Sequence, residues 1–140
     1  MANKSRNQLL NGNNDKVGDL NALLAAGQAV PAGTDLVFHL AAAVSAECEA
    51  DFDLGMHSNL QATHQLLEAC RAQTTRDGRA PALVFASSLA VFGDSSLQPL
   101  PSVITDTSLP TPQGSYGIQK FIGEQMVADY GRKGFVRGRS

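Results

Sequence analysis

Two short apolar runs separated by one long helical pattern restrict the folds open to this chain more than any other feature. Asp35-Leu-Val-Phe-His-Leu-Ala41 follows Pro31 and Gly33, and Pro81-Ala-Leu-Val-Phe-Ala-Ser-Ser88 repeats its character. Both runs are nearly continuous in apolar residues, so each reads as a strand buried on both faces, as in a parallel sheet covered by helices. Between them, Asp53 to Gln73 carries apolar or small residues at Met56, Leu60, Thr63, Leu67 and Cys70, the three-to-four spacing of one helix face. The order strand, helix, strand predicts a right-handed crossover and an α/β fold.

A chain of 140 residues with 43% hydrophobic content has room for one domain with a core of its own. Residues 1 to 18 are rich in Asn, Gly and Lys and lack either hydrophobic period apart from Leu9-Leu10, which predicts a poorly ordered segment ahead of a domain over 19 to 140. Asp19 is placed to cap a short helix, Leu20-Asn-Ala-Leu-Leu-Ala-Ala26, which Gly27 would stop. Gly93 to Pro112 holds Pro99, Pro101, Pro110 and Pro112 and reads as a loop. It is long for a passive connection, and is expected to shape a substrate site. Ser115 to Tyr130 returns to helical spacing through Ile118, Ile122 and Met126, with Gly131 as the expected stop.

With 11 basic and 13 acidic residues the net charge is −2, which offers nothing to attract nucleic acid or an anionic membrane surface. A small-molecule partner is expected instead. Cys48 and Cys70 form no C-x-x-C and have no His at ligand spacing, so both read as apolar helix residues. His39 reads as a hydrogen-bonded core histidine, and His57 and His64 lack a third ligand, so no metal is expected. Glu47, Glu49, Asp51 and Asp53 read as a solvated approach to the long helix. The polar N-terminus lacks a signal-peptide core, and no apolar run approaches the roughly 18 residues of a membrane span. The expected location is cytoplasmic.

Chemistry concentrates at Tyr116-Gly-Ile-Gln-Lys120, which puts a phenol and an ammonium one turn apart on a single helix face. A phenol with pKa near 10 is a poor acid or base at neutral pH, whereas a fixed cation beside it stabilises the phenolate. Ser87 and Ser88 end the second apolar run, and ligands of open parallel sheets bind outside the carboxyl ends of the strands. Ser88 is therefore expected to face the same crevice as Tyr116.

Phe85-Ala-Ser-Ser-Leu-Ala-Val-Phe-Gly93, followed by Thr111-Pro-Gln-Gly-Ser-Tyr-Gly-Ile-Gln-Lys120, resembles the catalytic segments of extended short-chain dehydrogenases/reductases, the NAD-dependent epimerase/dehydratase group. Phe38-His-Leu-Ala-Ala-Ala-Val-Ser45, Glu49-Ala-Asp-Phe-Asp-Leu-Gly-Met56 and Ser88-Leu-Ala-Val-Phe-Gly93 are similar to segments of its sugar-acid dehydrogenase branch. The resemblance implies a partial Rossmann-like, doubly wound parallel sheet with flanking helices. It implies Tyr116 as acid/base, Lys120 as modifier of its pKa and a ribose contact, and Ser88 as partner of the reacting oxygen, with Ser87 beside it. Leu40, Ala41 and Ala42 would pass along the cofactor, Gly18-Asp19-Leu20 would form the adenine-contacting turn, and Asn59 would be the helix asparagine that supports the site. The implied cofactor is NAD, with NADP open. The implied substrate is a sugar acid or nucleotide sugar, and the implied assembly a homodimer paired through the two long helices.

The family's opening strand and Gly-rich turn, whose backbone N–H groups receive the pyrophosphate, find no counterpart before Asp19. Gly131-Arg-Lys-Gly-Phe-Val-Arg-Gly138 has another spacing and follows a helix, so it reads as a helix stop and connection. The 140 residues alone are accordingly expected to bind NAD weakly or not at all, without turnover. The readings that stay open are an NAD(P)-dependent oxidoreductase or epimerase, a catalytically inactive truncated remnant of one, and a small non-catalytic α/β binding module.

Overall fold

The computed structural model of the protein describes residues 7–9 and 16–140, with side chains from Gly18 onward. Its first elements are β1 (Asn7–Leu9) and β2 (Lys16–Gly18), which pair antiparallel with Gln8 opposite Val17. The rest of the segment expected to be poorly ordered lies outside the described residues. Asp19 then caps α1 (Leu20–Ala25), its carboxylate accepting from the Ala22 N–H at 3.0 Å, and Gly27 turns the chain at φ +65°.

Three strands form the central sheet: β3 (Leu36–His39), β4 (Ala82–Phe85) and β5 (Arg137–Arg139), all parallel in the order β3-β4-β5. The connection from β3 to β4 is helical but not one helix. It runs through α2 (Ser45–Ala50), α3 (Phe52–Gly55), a π-helical segment (Met56–Gln61) and α4 (Ala62–Asp77), which ends at Gly78 in the left-handed region. From β4 the chain passes through a 3-10 turn (Leu89–Val91) and the Pro-rich loop to α5 (Ser115–Arg132), which returns it to β5.

Helices α4 and α5 pack on one sheet face, where Val37, Leu83 and Phe85 meet Leu66, Leu67, Cys70, Val127 and Val136. Each fully buried Leu or Phe contributes about 1.5–3 kcal/mol, so this layer dominates the stability. The expectation that β3 is buried on both faces does not hold among the described residues. Its burial alternates, with Val37 and His39 inward while Leu36, Phe38 and Leu40 are 48%, 61% and 66% exposed, because no described element covers that face.

The acidic run also differs from a plain solvated approach. Glu47 accepts from the Val44 N–H at the start of α2, and Asp51 from the Leu54 N–H at the start of α3. Glu49 reaches across to accept from the Ser115 N–H at 2.6 Å, supplying α5 with the cap that Gly114 cannot. These carboxylates are exposed, yet each satisfies a helix-terminal donor. At its other end α5 continues past Gly131 to Arg132, and the chain turns at Gly134, φ +76°. No described helix is long and apolar enough to cross a membrane.

Candidate active site at the carboxyl ends of the strands

Because β3 and β4 are parallel neighbours, Leu40-Ala41-Ala42 and Ala86-Ser87-Ser88 leave the sheet at the same end, and the Ala86 N–H donates to the His39 carbonyl at 3.1 Å. Chains emerging side by side at this end create the crevice in which ligands of such sheets bind. The two serines differ in use. Ser88 Oγ accepts from the Ala90 N–H at 3.2 Å and so starts the 3-10 turn. The Ser87 hydroxyl donates to the Glu124 carboxylate of α5.

Helix α5 comes close to this turn only because residue 117 is glycine: a Cβ there would lie 2.1 Å from the Ala90 carbonyl oxygen. That approach carries Tyr116, half-buried, and Lys120, which is 3% exposed. The Lys120 ammonium donates to the Ala86 carbonyl at 2.7 Å and lies 4.8 Å from the Phe85 ring centroid and 5.8 Å from that of Tyr116. A carbonyl dipole and two ring faces hold the cation in place of water. Burial nonetheless lowers its pKa.

His39 occupies the inward face of the β3 end, its Nε2 2.8 Å from Thr63 Oγ1. Thr63 gives its own proton to the Asn59 carbonyl at 2.5 Å, so Nε2 is the protonated nitrogen of a neutral ring. Burial, reinforced by the Lys120 charge, holds the imidazole down at about 4. The sequence-based expectation of a hydrogen-bonded core histidine matches this arrangement.

Asn59 lies in the π-helical segment, a distortion frequent at functional sites. Its side-chain amide clasps Ala43, accepting from the N–H at 2.8 Å and donating to the carbonyl at 3.1 Å, and it donates to Gln119 Oε1 at 2.8 Å. Sequence reasoning passed over Gln119 and Glu124. Glu124 follows Lys120 by one turn and Tyr116 by two, a face-sharing pattern that could have singled it out. Gln119 carried no such signal.

Asp19 and Leu20 stand apart from the strand-end group in their contacts: the Asp19 carboxylate caps α1, and the Leu20 side chain belongs to the core. The Pro-rich loop, in contrast, is anchored beside the group. Thr111 Oγ1 donates to the Gly93 carbonyl at 2.8 Å and the Thr111 N–H to the Val91 carbonyl at 2.9 Å, closing the loop at the 3-10 turn. Beyond this neck, Leu97, Val103 and Leu109 are exposed.

Comparison with known proteins gives a consistent pattern. The model of the NAD dependent epimerase/dehydratase family matches residues 3–139. Over 122 residues the chain is 49% identical to D-erythronate dehydrogenase of Cupriavidus necator, covering 87% of this chain and 35% of that protein. Among solved structures it resembles a nucleoside-diphosphate-sugar epimerase from Agrobacterium tumefaciens (TM-score 0.80, 42% identity, 94% of this chain and 39% of that one). It also resembles UDP-glucose 4-epimerase from Brucella ovis in complex with NAD (TM-score 0.66, 28% identity, 86% and 35%). The chain thus spans about a third of the length of the curated relatives it matches.

Proposed function

Since the chain belongs to the NAD dependent epimerase/dehydratase family, we propose that its strand-end site serves NAD-dependent oxidation of a sugar acid, with Tyr116 as the proton-transfer group. The observation that carries this reading is Lys120, a cation held at the Ala86 carbonyl one helical turn from Tyr116. D-erythronate dehydrogenases from two organisms, at 49% and 46% identity, favour a sugar acid over a nucleotide sugar as substrate.

The residues present suit such a cofactor. Ala41 and Ala42 are small and half-buried at the strand end, allowing a flat ring system close approach, and the Lys120 ammonium has further protons to give to ribose hydroxyls. Leu40, Ala41, Ala42, Ser87, Tyr116 and Lys120 would hold it, with Asp19 and Leu20 at its far end. Bound NAD supplies a two-electron acceptor for the hydride leaving the substrate carbon. Ser88 would then orient the substrate hydroxyl, Tyr116 would take its proton, and Lys120 would stabilise the negative charge developing beside it.

A chimera in which the 122 matched residues of this chain replace the corresponding segment of the Cupriavidus necator enzyme tests the cofactor assignment. Lys120→Met should weaken NAD binding about tenfold by calorimetric titration, the loss expected for a hydrogen bond from a charged donor. Unchanged affinity would remove Lys120 from the cofactor site.

The same reading assigns a contact between two copies to the outer face of α5. Ile118 and Ile122, one turn apart, remain 43% and 37% exposed, a stripe that a paired helix would cover. Sedimentation should show a dimer that Ile118→Asp returns to monomer; a protein already monomeric at micromolar concentration would contradict the assignment.

A further inference from the structure

Consecutive residues of α5 hold the ends of two different strands. Lys120 binds the Ala86 carbonyl just beyond β4, while Gln119 reaches the segment beyond β3 through one intermediary, Asn59. Asn59 treats Ala43 as a neighbouring strand would, pairing with both its N–H and its carbonyl. A side-chain amide can make that pair in one orientation only, since a flipped amide would set its NH2 against the Ala43 N–H. The Gln119 oxygen, 2.8 Å from Asn59 Nδ2, selects the orientation that works. Cys48 Sγ, 3.2 Å from the same nitrogen, is the weaker acceptor.

Packing does not account for Gln119. Its side chain is 2% exposed and its Nε2 has no hydrogen-bond partner among the described residues, an arrangement that costs stability an apolar side chain of the same shape would keep. Room for that nitrogen also depends on Gly55, where a Cβ would come within 2.6 Å of it. A buried amide kept at such a cost, with its oxygen committed to Asn59, has its use in the oxygen.

We infer that Gln119 is a positioning residue that, by orienting Asn59, fixes the Leu40–Ala43 segment relative to Tyr116 and Lys120. This rests on the proposed function for its consequence, since that segment is where the cofactor would lie, but not for its mechanical content. Gln119 touches neither cofactor nor reacting atoms.

The test reads hydrogen exchange at the Ala43 amide of this chain by NMR, without NAD. Gln119→Met keeps the shape and removes the acceptor, and should speed Ala43 exchange about tenfold, the effect of losing one interior hydrogen bond, while the Leu83 and Phe85 amides of β4 stay protected. Gln119→Glu retains an acceptor oxygen in either protonation state and should restore Ala43 protection. Unchanged Ala43 exchange in Gln119→Met, equal acceleration at Leu83 and Phe85, or the same behaviour in both variants would each overturn the assignment. NAD affinity measured in parallel in the chimera should fall in Gln119→Met and recover in Gln119→Glu. If the unsubstituted chimera bound no NAD, the proposed function would fail, and Ala43 exchange would still decide the role of Gln119.

Discussion

Replacing Tyr116 by phenylalanine is expected to lower kcat for hydride transfer by about 10² to 10⁴, the usual contribution of a positioned acid or base. The substitution removes one oxygen from a half-buried ring and leaves the helix intact, because α5 is anchored by Gly117 against the Ala90 turn, by Gly123 against Phe85 of β4 and by Val127 against Gly138 of β5. Without the phenol, Lys120 remains in place but no group is left beside it to take the substrate proton. Losses in kcat and kcat/KM should therefore be similar in the chimera carrying this chain. A Tyr116→Phe enzyme with the parent turnover would assign the proton transfer elsewhere.

Acid should unfold the domain through His39. Its pKa in the folded state is about 4 against an ordinary value of 6.5, so between these values the unfolded chain binds a proton that the folded chain refuses. The stabilisation is complete above about pH 6.5 and disappears as pH falls toward 4, a loss of about 3 kcal/mol. The surroundings of the ring explain the refusal: burial beside the apolar Phe85 ring at 5.6 Å removes solvation of the charge, and Lys120 adds a like charge. Carboxylates such as Glu68, held below the usual range by its hydrogen bonds from Arg71 and Tyr130, also take up protons in acid, so the informative quantity is a difference. Urea unfolding at neutral and mildly acid pH should show a steeper acid loss for the parent than for His39→Gln, whose amide can donate to Thr63 without titrating. Equal slopes would mean that His39 is not the group responsible.

Much of the α/β order was legible because it rests on periodicity. The two apolar runs became β3 and β4, and Tyr116 and Lys120 fell on one helix as their spacing required. Faces were harder to read than elements. The run from Leu36 to Leu40 is apolar apart from His39, so its apolar residues do not distinguish a strand covered on both sides from one covered on one. In α5 the large residues Ile118 and Ile122 marked a helix but not its buried side. That side is formed by Gly117, Gln119, Lys120, Gly123 and Val127, where small residues admit the Ala90 carbonyl and the Phe85 ring.

β5 was read only as a connection, since Arg137-Gly-Arg139 has no apolar signature. It pairs through its backbone at the sheet edge, with the Arg137 N–H donating to the Pro81 carbonyl, and Gly138 lets it lie against Val127 of α5. The roles of Glu49 and Gln119 depend on residues 66 and 60 positions away, and no local pattern encodes such pairings. The resemblance singled out Ser88 over Ser87, but not the contact of Ser87 with Glu124, which lies 37 positions away.

The proposed oxidation of a sugar acid by Ser88, Tyr116 and Lys120 is read out by NADH formation in the chimera supplied with NAD and D-erythronate. NADH should appear in step with D-erythronate consumed, and none with UDP-glucose in its place. Absence of NADH from D-erythronate, in a chimera shown by calorimetry to bind NAD, would contradict it.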